Sequence, residues 1–425
     1  MKIRSKILLL FIVNCSLLIV NCFGQWLQQI SGITGQLRDC DFINQNTGWA
    51  CGDNGVVLKT TNGGVNWIQQ NTGVFKLLEG IDAVDANILY SVGWFQTILK
   101  STNGGTNWII IRDGPTGTGS TFFKCFFLNS LTGWLLRSGG GYVLRTTNGG
   151  MTFDSTFTNN SFNRDIYFKD ALTGVLCGDG AWVMKSTDGG VTWTQIQLPL
   201  LTGAPNLYRL SFVNDYGWTI GEGSESGLGK LVFRTTNFGS SWDSIGRVPY
   251  PSNNLNYSVF FSSLNTGYCG GTFGYIFKST NGGFNWLQQT VPIDGYRGDF
   301  WFANDSLGWV VGGGGYILKT TNGGSYVALE PISNLIPKKF NLFQNYPNPF
   351  NPVTEIKFAL PQNSFVTVKV YDVLGELVAI LVKNEFKDAG YYSAQFDGTN
   401  LSSGIYFYTI EAGDYKDSKK MILIK

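Results

Sequence analysis

Short apolar runs alternate with glycine turns along most of the chain, and none repeats at helical spacing. Between residues 38 and 70 the runs RDCDFIN, GWACG, VVLKT and NWIQQ each have the length of a β-strand. The pattern returns: TGWACGDNGVVLKT has counterparts in TGWLLRSGGGYVLRT and LGWVVGGGGYILKT. Each unit carries a nine-residue stretch, first KTTNGGVNW at 59–67 and KSTNGGTNW at 100–108. RTTNGGMTF (145–153), KSTDGGVTW (185–193), RTTNFGSSW (234–242), KSTNGGFNW (278–286) and KTTNGGSYV (319–327) follow. Their starts lie 41, 45, 40, 49, 44 and 41 residues apart. That period, with four runs per unit, predicts an all-β fold whose main domain, residues 25–330, is a seven-bladed β-propeller.

The nine residues fall at the turn from the third strand to the fourth. An Asn or Asp oxygen there can accept backbone N–H groups, and the Gly pair supplies positive φ. The motif resembles the Asp-box, the S/T-x-D-G-G-x-T-W repeat of sialidase-type propellers. Only Asp188 is acidic; Asn62, Asn103, Asn148, Asn237, Asn281 and Asn322 replace it elsewhere. Asn keeps the acceptor and loses the charge, so the boxes are expected to be structural turns. Lys59, Lys100, Arg145, Lys185, Arg234, Lys278 and Lys319 make the preceding position basic in every unit. These cations are expected to cap strand ends or stack on Trp rings rather than form a binding ring. The segment Gln25–Gln29, QWLQQ, matches NWIQQ and NWLQQ but has no blade before it. It is expected to complete or flank blade seven and close the ring.

Composition narrows the chemistry. Histidine is absent, which excludes a Ser-His-Asp triad, a Cys-His pair and imidazole metal sites. No cofactor or metal motif stands out. Residues 1–24 read as a signal peptide, with Lys2, Arg4 and Lys6 before the apolar run 7–20, and Cys22 and Gly24 before a cut at Gln25. A lipoprotein reading would put a lipid on Cys22, and ranks second. Removing the segment takes three of 31 basic residues and none of 29 acidic ones, leaving a net charge near −1. Neither nucleic acid nor an anionic membrane is expected as a partner, and the mature chain has no transmembrane run. Cys51, Cys177 and Cys269 each precede a glycine, where other repeats have Val or Ile, and read as buried core thiols. A Cys40–Cys51 disulfide is the less favoured alternative.

After a linker at 331–340, residues 341–425 predict a small Ig-like β-sandwich. YPNPFNP, VYDVLGE, FDG, LSSGIYFY and the terminal Lys425 resemble the type A C-terminal sorting domain of the type IX secretion system. The resemblance implies export through the periplasm and the outer membrane of a gram-negative bacterium. It also implies engagement of the secretion machinery and a sortase through residues 341–425. The GW…G…G-ILKTTNGG…W repeats of residues 25–330 resemble the photosystem II assembly (stability) factor family.

Candidate chemistry lies where the inner strands begin. Arg38, Asp39, Arg164, Asp165, Arg209, Arg297 and Asp299 can line the channel mouth, or pair with one another across it. The favoured reading is a secreted or surface binding propeller engaging a glycan or protein on this face. The alternatives are an Asp-box glycoside hydrolase using Asp39, Asp165 or Asp299, and an assembly factor gripping a partner protein through the arginines.

Overall fold

The computed structural model describes residues 26–324, apart from 116, 118, 161, 200–204, 222–228, 250–257, 290 and 293–294, and residues 336–425, apart from 399–400. Within strands, the side chains of Arg297 and of residues 383–385 also lie outside the description. The expected signal segment 1–24 and the first half of the expected linker, 331–335, are outside the described residues. Two compact units separate, residues 24–326 and the segment from 327 to 425.

The first unit is a ring of seven four-stranded antiparallel sheets. Blade one consists of Leu37–Phe42, Gly48–Gly52, Val57–Thr60 and Ile68–Gln70, close to the strands expected. Blade seven is assembled from both ends of the unit. Arg297–Phe302, Gly308–Gly312 and Ile317–Thr320 receive Leu27–Gln29 as their fourth strand, with Leu27 opposite Lys319 and Gln29 opposite Ile317. Trp26 is fully buried beside this strand, edge-on to Tyr268, Phe300 and Phe302.

One contact recurs at the blade interfaces. The aromatic residue of each second strand donates to the first box glycine of the next blade. Trp49 Nε1 reaches the Gly104 carbonyl at 3.1 Å, Trp134 that of Gly189 at 2.8 Å, and Trp218 that of Gly282 at 2.8 Å. Tyr90 and Tyr268 hydroxyls do the same to Gly149 at 3.2 Å and Gly323 at 2.9 Å. Trp309 closes the circle on Gly63 at 3.3 Å. The basic residue of the third strand lies over the same ring: Lys59 over Trp49 at 5.4 Å, Lys319 over Trp309 at 5.0 Å. Lys319 also donates to the Gly63 carbonyl at 2.8 Å. The basic positions therefore act at blade seams, as expected from the sequence.

Blade four breaks the rule, since Val175 stands where the others have Trp or Tyr. The facing box in blade five carries Phe238 in place of the first glycine, buried and held at φ 50°. Val175 and Phe238 share one core cluster, so the phenyl ring fills the room an indole occupies elsewhere.

The boxes themselves are hydrogen-bonded turns. In blade one the Thr60 hydroxyl accepts from Gly64 N at 2.8 Å, and Asn62 Oδ1 accepts from Asn66 N at 2.9 Å. In blade four Asp188 plays the Asn62 part. Burial opposes its charge, but hydrogen bonds from Thr192 and Ser186 outweigh that and hold the carboxyl down at about 2.

The five described cysteines are buried free thiols, with no disulfide between Cys40 and Cys51. Cys51 and Cys177 lie opposite Asp39 and Asp165, but Cys269 lies opposite Val259, one place along. The shared position expected for all three holds for two. In YCGG the first glycine, Gly270, takes the Cys51 place.

The second unit is a β-sandwich. Its three-stranded sheet contains Asn341–Leu342, Val353–Leu360 and Gly390–Asp397. The four-stranded sheet contains Leu377–Lys387, Ser364–Tyr371, Gly404–Ala412 and Tyr415–Leu423, in that order. Alternate residues of both sheets, Ile356, Phe358, Tyr392, Val368, Tyr408 and Met421 among them, fill one core.

Two outcomes check the ring's construction. Trp26→Ala lowers stability by about 3–5 kcal/mol in denaturant unfolding, since a fully buried indole is lost at the closure. Phe238→Gly costs about 2–4 kcal/mol alone, and adding Val175→Trp recovers most of it in a double-mutant cycle. Additive losses would break the claimed compensation.

Candidate functional site

The channel is lined by the seven inner strands, and their sequence sets what it shows. Six of these strands begin with a register shift: Leu37/Asp39, Leu78/Gly80, Phe122/Lys124, Asn163/Asp165, Leu207/Leu210 and Arg297/Phe300. The start of the blade-six strand lies outside the described residues. A bulge re-aims the side chain that carries it. Here it brings Arg38, Glu79, Phe123, Arg164 and Tyr208 to the channel mouth, around a cavity of about 200 Å³. Arg209, Tyr296 and Gly298 complete its lining. Gly298 is required there, because a Cβ would lie 2.7 Å from the Arg38 carbonyl.

The arginines differ in what holds them. Arg164 is committed: Nε and Nη2 donate to the two Asp179 oxygens at 2.8 and 2.7 Å, and the guanidinium stacks against Phe123, Phe162 and Tyr208. Arg38 is held loosely, with Glu79 at 4.0 Å and its guanidinium over the Tyr296 ring at 5.6 Å. Glu79 is itself fixed by Trp94 Nε1 at 2.9 Å. Arg209 makes one ion pair among the described residues, Nε to Asp299 at 3.6 Å. Arg297 opens its strand, but its side chain lies outside the description.

The acids expected at the mouth lie one step deeper and are buried. Asp39 accepts from Cys40 N at 3.1 Å, from Ile81 N of blade two at 3.0 Å and from Lys124 Nζ at 2.9 Å. Asp165 accepts from Ile166 N at 2.9 Å and from Leu210 N of blade five at 2.8 Å. Asp299 accepts from Phe300 N at 2.9 Å and from Ser258 Oγ, and meets Lys124 at 3.4 Å. An inner strand exposes one edge of N–H groups to the channel, and a carboxylate from the preceding blade satisfies it. Asp41 to Ala83 N at 2.8 Å, and Ser211 to Phe261 N at 2.8 Å, repeat the device lower down. These acids are therefore first of all the fastening between blades.

Lys124 joins Asp39 to Asp299 across the channel and was not among the expected site residues. It occupies in FFKCFF the place Asp39 has in LRDCDF. Aligning the inner strands by their closing phenylalanines, Phe42 and Phe127, brings it out. The same alignment marks Glu79 and Tyr208 at the Arg38 place. Asp179 lies on a loop at the place Asp53 holds in blade one, after the same Cys-Gly pair, while Tyr296 lies on a loop with no repeat signal to find it.

Desolvation dominates the titration of the buried acids. It lifts Asp39 to about 7 against the pull of Lys124, and Asp41 to about 6 against backbone hydrogen bonds. It raises Asp82 and Asp165 as well. Asp299 goes the other way, because Arg209 and Lys124 outweigh its burial. A carboxyl raised in the folded protein binds its proton more readily there than in the unfolded chain. Stability from such groups therefore falls as pH climbs from the ordinary value of 3.8 toward 6 and 7. Asp299 contributes the opposite slope only at pH below 3.8. Scanning calorimetry at constant ionic strength is expected to show the propeller melting higher at about pH 5 than at about pH 8. A midpoint rising over that span would contradict this account of the channel.

Comparison with known proteins agrees with this architecture. Residues 344–425 match the model of the secretion system C-terminal sorting domain, and residues 154–249 that of the photosynthesis system II assembly factor YCF48. No curated protein sequence matches the chain. Among solved structures, YCF48 bound to D1 peptide superposes with a TM-score of 0.56 at 19% identity, over 71% of this chain and 98% of that one. YCF48 from Cyanidioschyzon merolae gives 0.54 at 19%, over 70% and 98%. The Niastella koreensis GH74 enzyme gives 0.53 at 16%, over 95% of this chain and 75% of that one. At such identities the likeness is one of fold. The sorting domain indicates export to the cell surface or secretion, and no described helix is long and apolar enough to cross a membrane. The chain is thus similar to YCF48 assembly factors in its propeller, and ends in a secretion-system C-terminal sorting domain.

Proposed function

We propose that the protein is an exported, non-catalytic binding propeller that holds a partner by an anionic group at the channel mouth. One observation carries this reading. Arg38 and Arg209 line the mouth cavity with only a loose ion pair each among the described residues, whereas Arg164 is locked in a bidentate pair with Asp179. A guanidinium fork matches a carboxylate or phosphate, and the rings of Phe123, Tyr208 and Tyr296 give an apolar flank. The fold-mate YCF48 is bound to a D1 peptide, which favours a protein partner over a glycan.

A hydrolase of Asp-box type requires two carboxylates open to the substrate. Asp39 is fully buried with its oxygens shared among Lys124 and two backbone N–H groups, and Asp299 is tied to Ser258, Lys124 and Arg209. That commitment supports binding over cleavage. Residues 341–425 engage the type IX machinery and a sortase in this reading. The protein thus passes through the periplasm to the outer surface of a gram-negative cell, and Arg297, on the same rim, belongs to the candidate face.

The test is a panel of acidic and neutral peptides and polysaccharides offered to the full-length protein, with bound and released species read by mass spectrometry. Acidic peptides are expected to be retained intact. Arg38→Ala is expected to weaken retention about ten-fold with little loss of stability, because its contacts within the protein are loose. Release of cleaved fragments, or retention indifferent to Arg38, would overturn the reading.

A further inference from the structure

Arg209 belongs to two spaces at once. It lines the mouth cavity and also a lower channel cavity of about 260 Å³. Between them its ion pair with Asp299, and the bridge from Asp299 through Lys124 to Asp39, form a charged septum. The septum residues come from blades one, three, five and seven, so it spans the channel. Asp165 on blade four adds a further carboxylate beside Arg209. Three buried acids thus face two bases. The three carboxyls are buried, so solvent does little to offset the surplus negative charge, and the cluster has a standing affinity for a proton.

We propose that this septum couples binding of an anion at the mouth to uptake of a proton beneath it. The inference rests on the mouth reading given above. An anion seated on Arg38 and Arg209 competes for the guanidinium charge that now steadies Asp299. The cluster then faces added negative charge in the same confined volume, and a proton from solvent enters the Asp39–Asp299 pair to offset it. No other bond is made or broken. By reciprocity, whatever protonates the pair tightens anion binding.

Asp39 is the natural acceptor, because burial already holds it near neutrality, at about 7, while Asp299 is held low by its two cations. The titratable groups around it come from six of the seven blades. Lys124, Arg209 and Asp299 face it directly from blades three, five and seven. Asp41 and Cys40 share its strand, Cys51 lies across on the second strand, and Asp82 approaches from blade two. Glu79 stands above on the rim and Asp165 beside Arg209. Asp41 and Asp82 are themselves raised acids, so a variant must separate their titration from that of Asp39.

Sulfate is a suitable probe, since it keeps its charge across the working range. Isothermal titration calorimetry of the full-length protein is expected to show sulfate affinity rising about five-fold or more from about pH 8 to about pH 6. Runs in two buffers of different ionisation heat are expected to show net proton uptake on binding. Asp39→Asn is expected to abolish the pH dependence. Should that variant fail to fold, the buffer comparison on the unaltered protein decides alone. Equal affinity at both pH values with no proton exchange overturns the coupling and leaves the mouth reading standing. No sulfate binding at any pH overturns both.

Discussion

The channel exists only because the ring is closed, and three residues close it. Leu27–Gln29 pair with Ile317–Lys319, and Trp26 anchors that pairing in the aromatic cluster beside blade six. The strand is too short to persist alone. It is held because its neighbours are already in place and because Trp26 buries a large apolar area in one step. Once blade seven is complete, Trp309 can reach Gly63 and Asp299 can stand across from Lys124 and near Cys40. Every feature of the mouth follows from that geometry, since its side chains come from blades at both ends of the unit.

Much of the fold was legible in the sequence because the repeat states the contacts twice. GW in the second strand and NGG in the box are the two halves of one blade seam, and they are spelled in four and five of the seven units respectively. Asn in place of the acid in six of the seven boxes marked them as turns, and their hydrogen bonds bear this out. Closure was legible for the same reason, since WLQQ at the start copies the fourth strands of other blades.

The site was less legible, because residue type does not tell depth. Arg38 and Asp39 are adjacent, yet the bulge at Leu37/Asp39 sends the first to the mouth and the second into the channel. Arg164 and Arg38 occupy equivalent places, and the loop acid decides between them: Asp179 pairs with Arg164, whereas Asp53, at the matching place, accepts from Gln36 N instead. Lys124 escaped because a lysine between phenylalanines reads as a solvated strand position. Its role appears only when seven strands face one another across a narrow channel.

The seam between blades four and five shows how far such a repeat can drift and still form the ring. Val175 removes both the indole volume and its N–H, so the facing turn loses a donor and gains a void. Phe238 answers the volume but not the donor, and its positive φ costs about 1 kcal/mol of strain that glycine would not incur. Lys185 supplies a substitute polar contact, donating to Ser240 at 2.6 Å and lying over the Phe238 ring at 5.7 Å. The third-strand cation at this seam has thus taken over the tie that an indole makes elsewhere. A seam tolerates loss of its signature residues when volume and polar contact are each replaced, even from different positions. The channel face has less freedom, since Asp39 there must satisfy its neighbour's backbone and balance Lys124 with the same two oxygens.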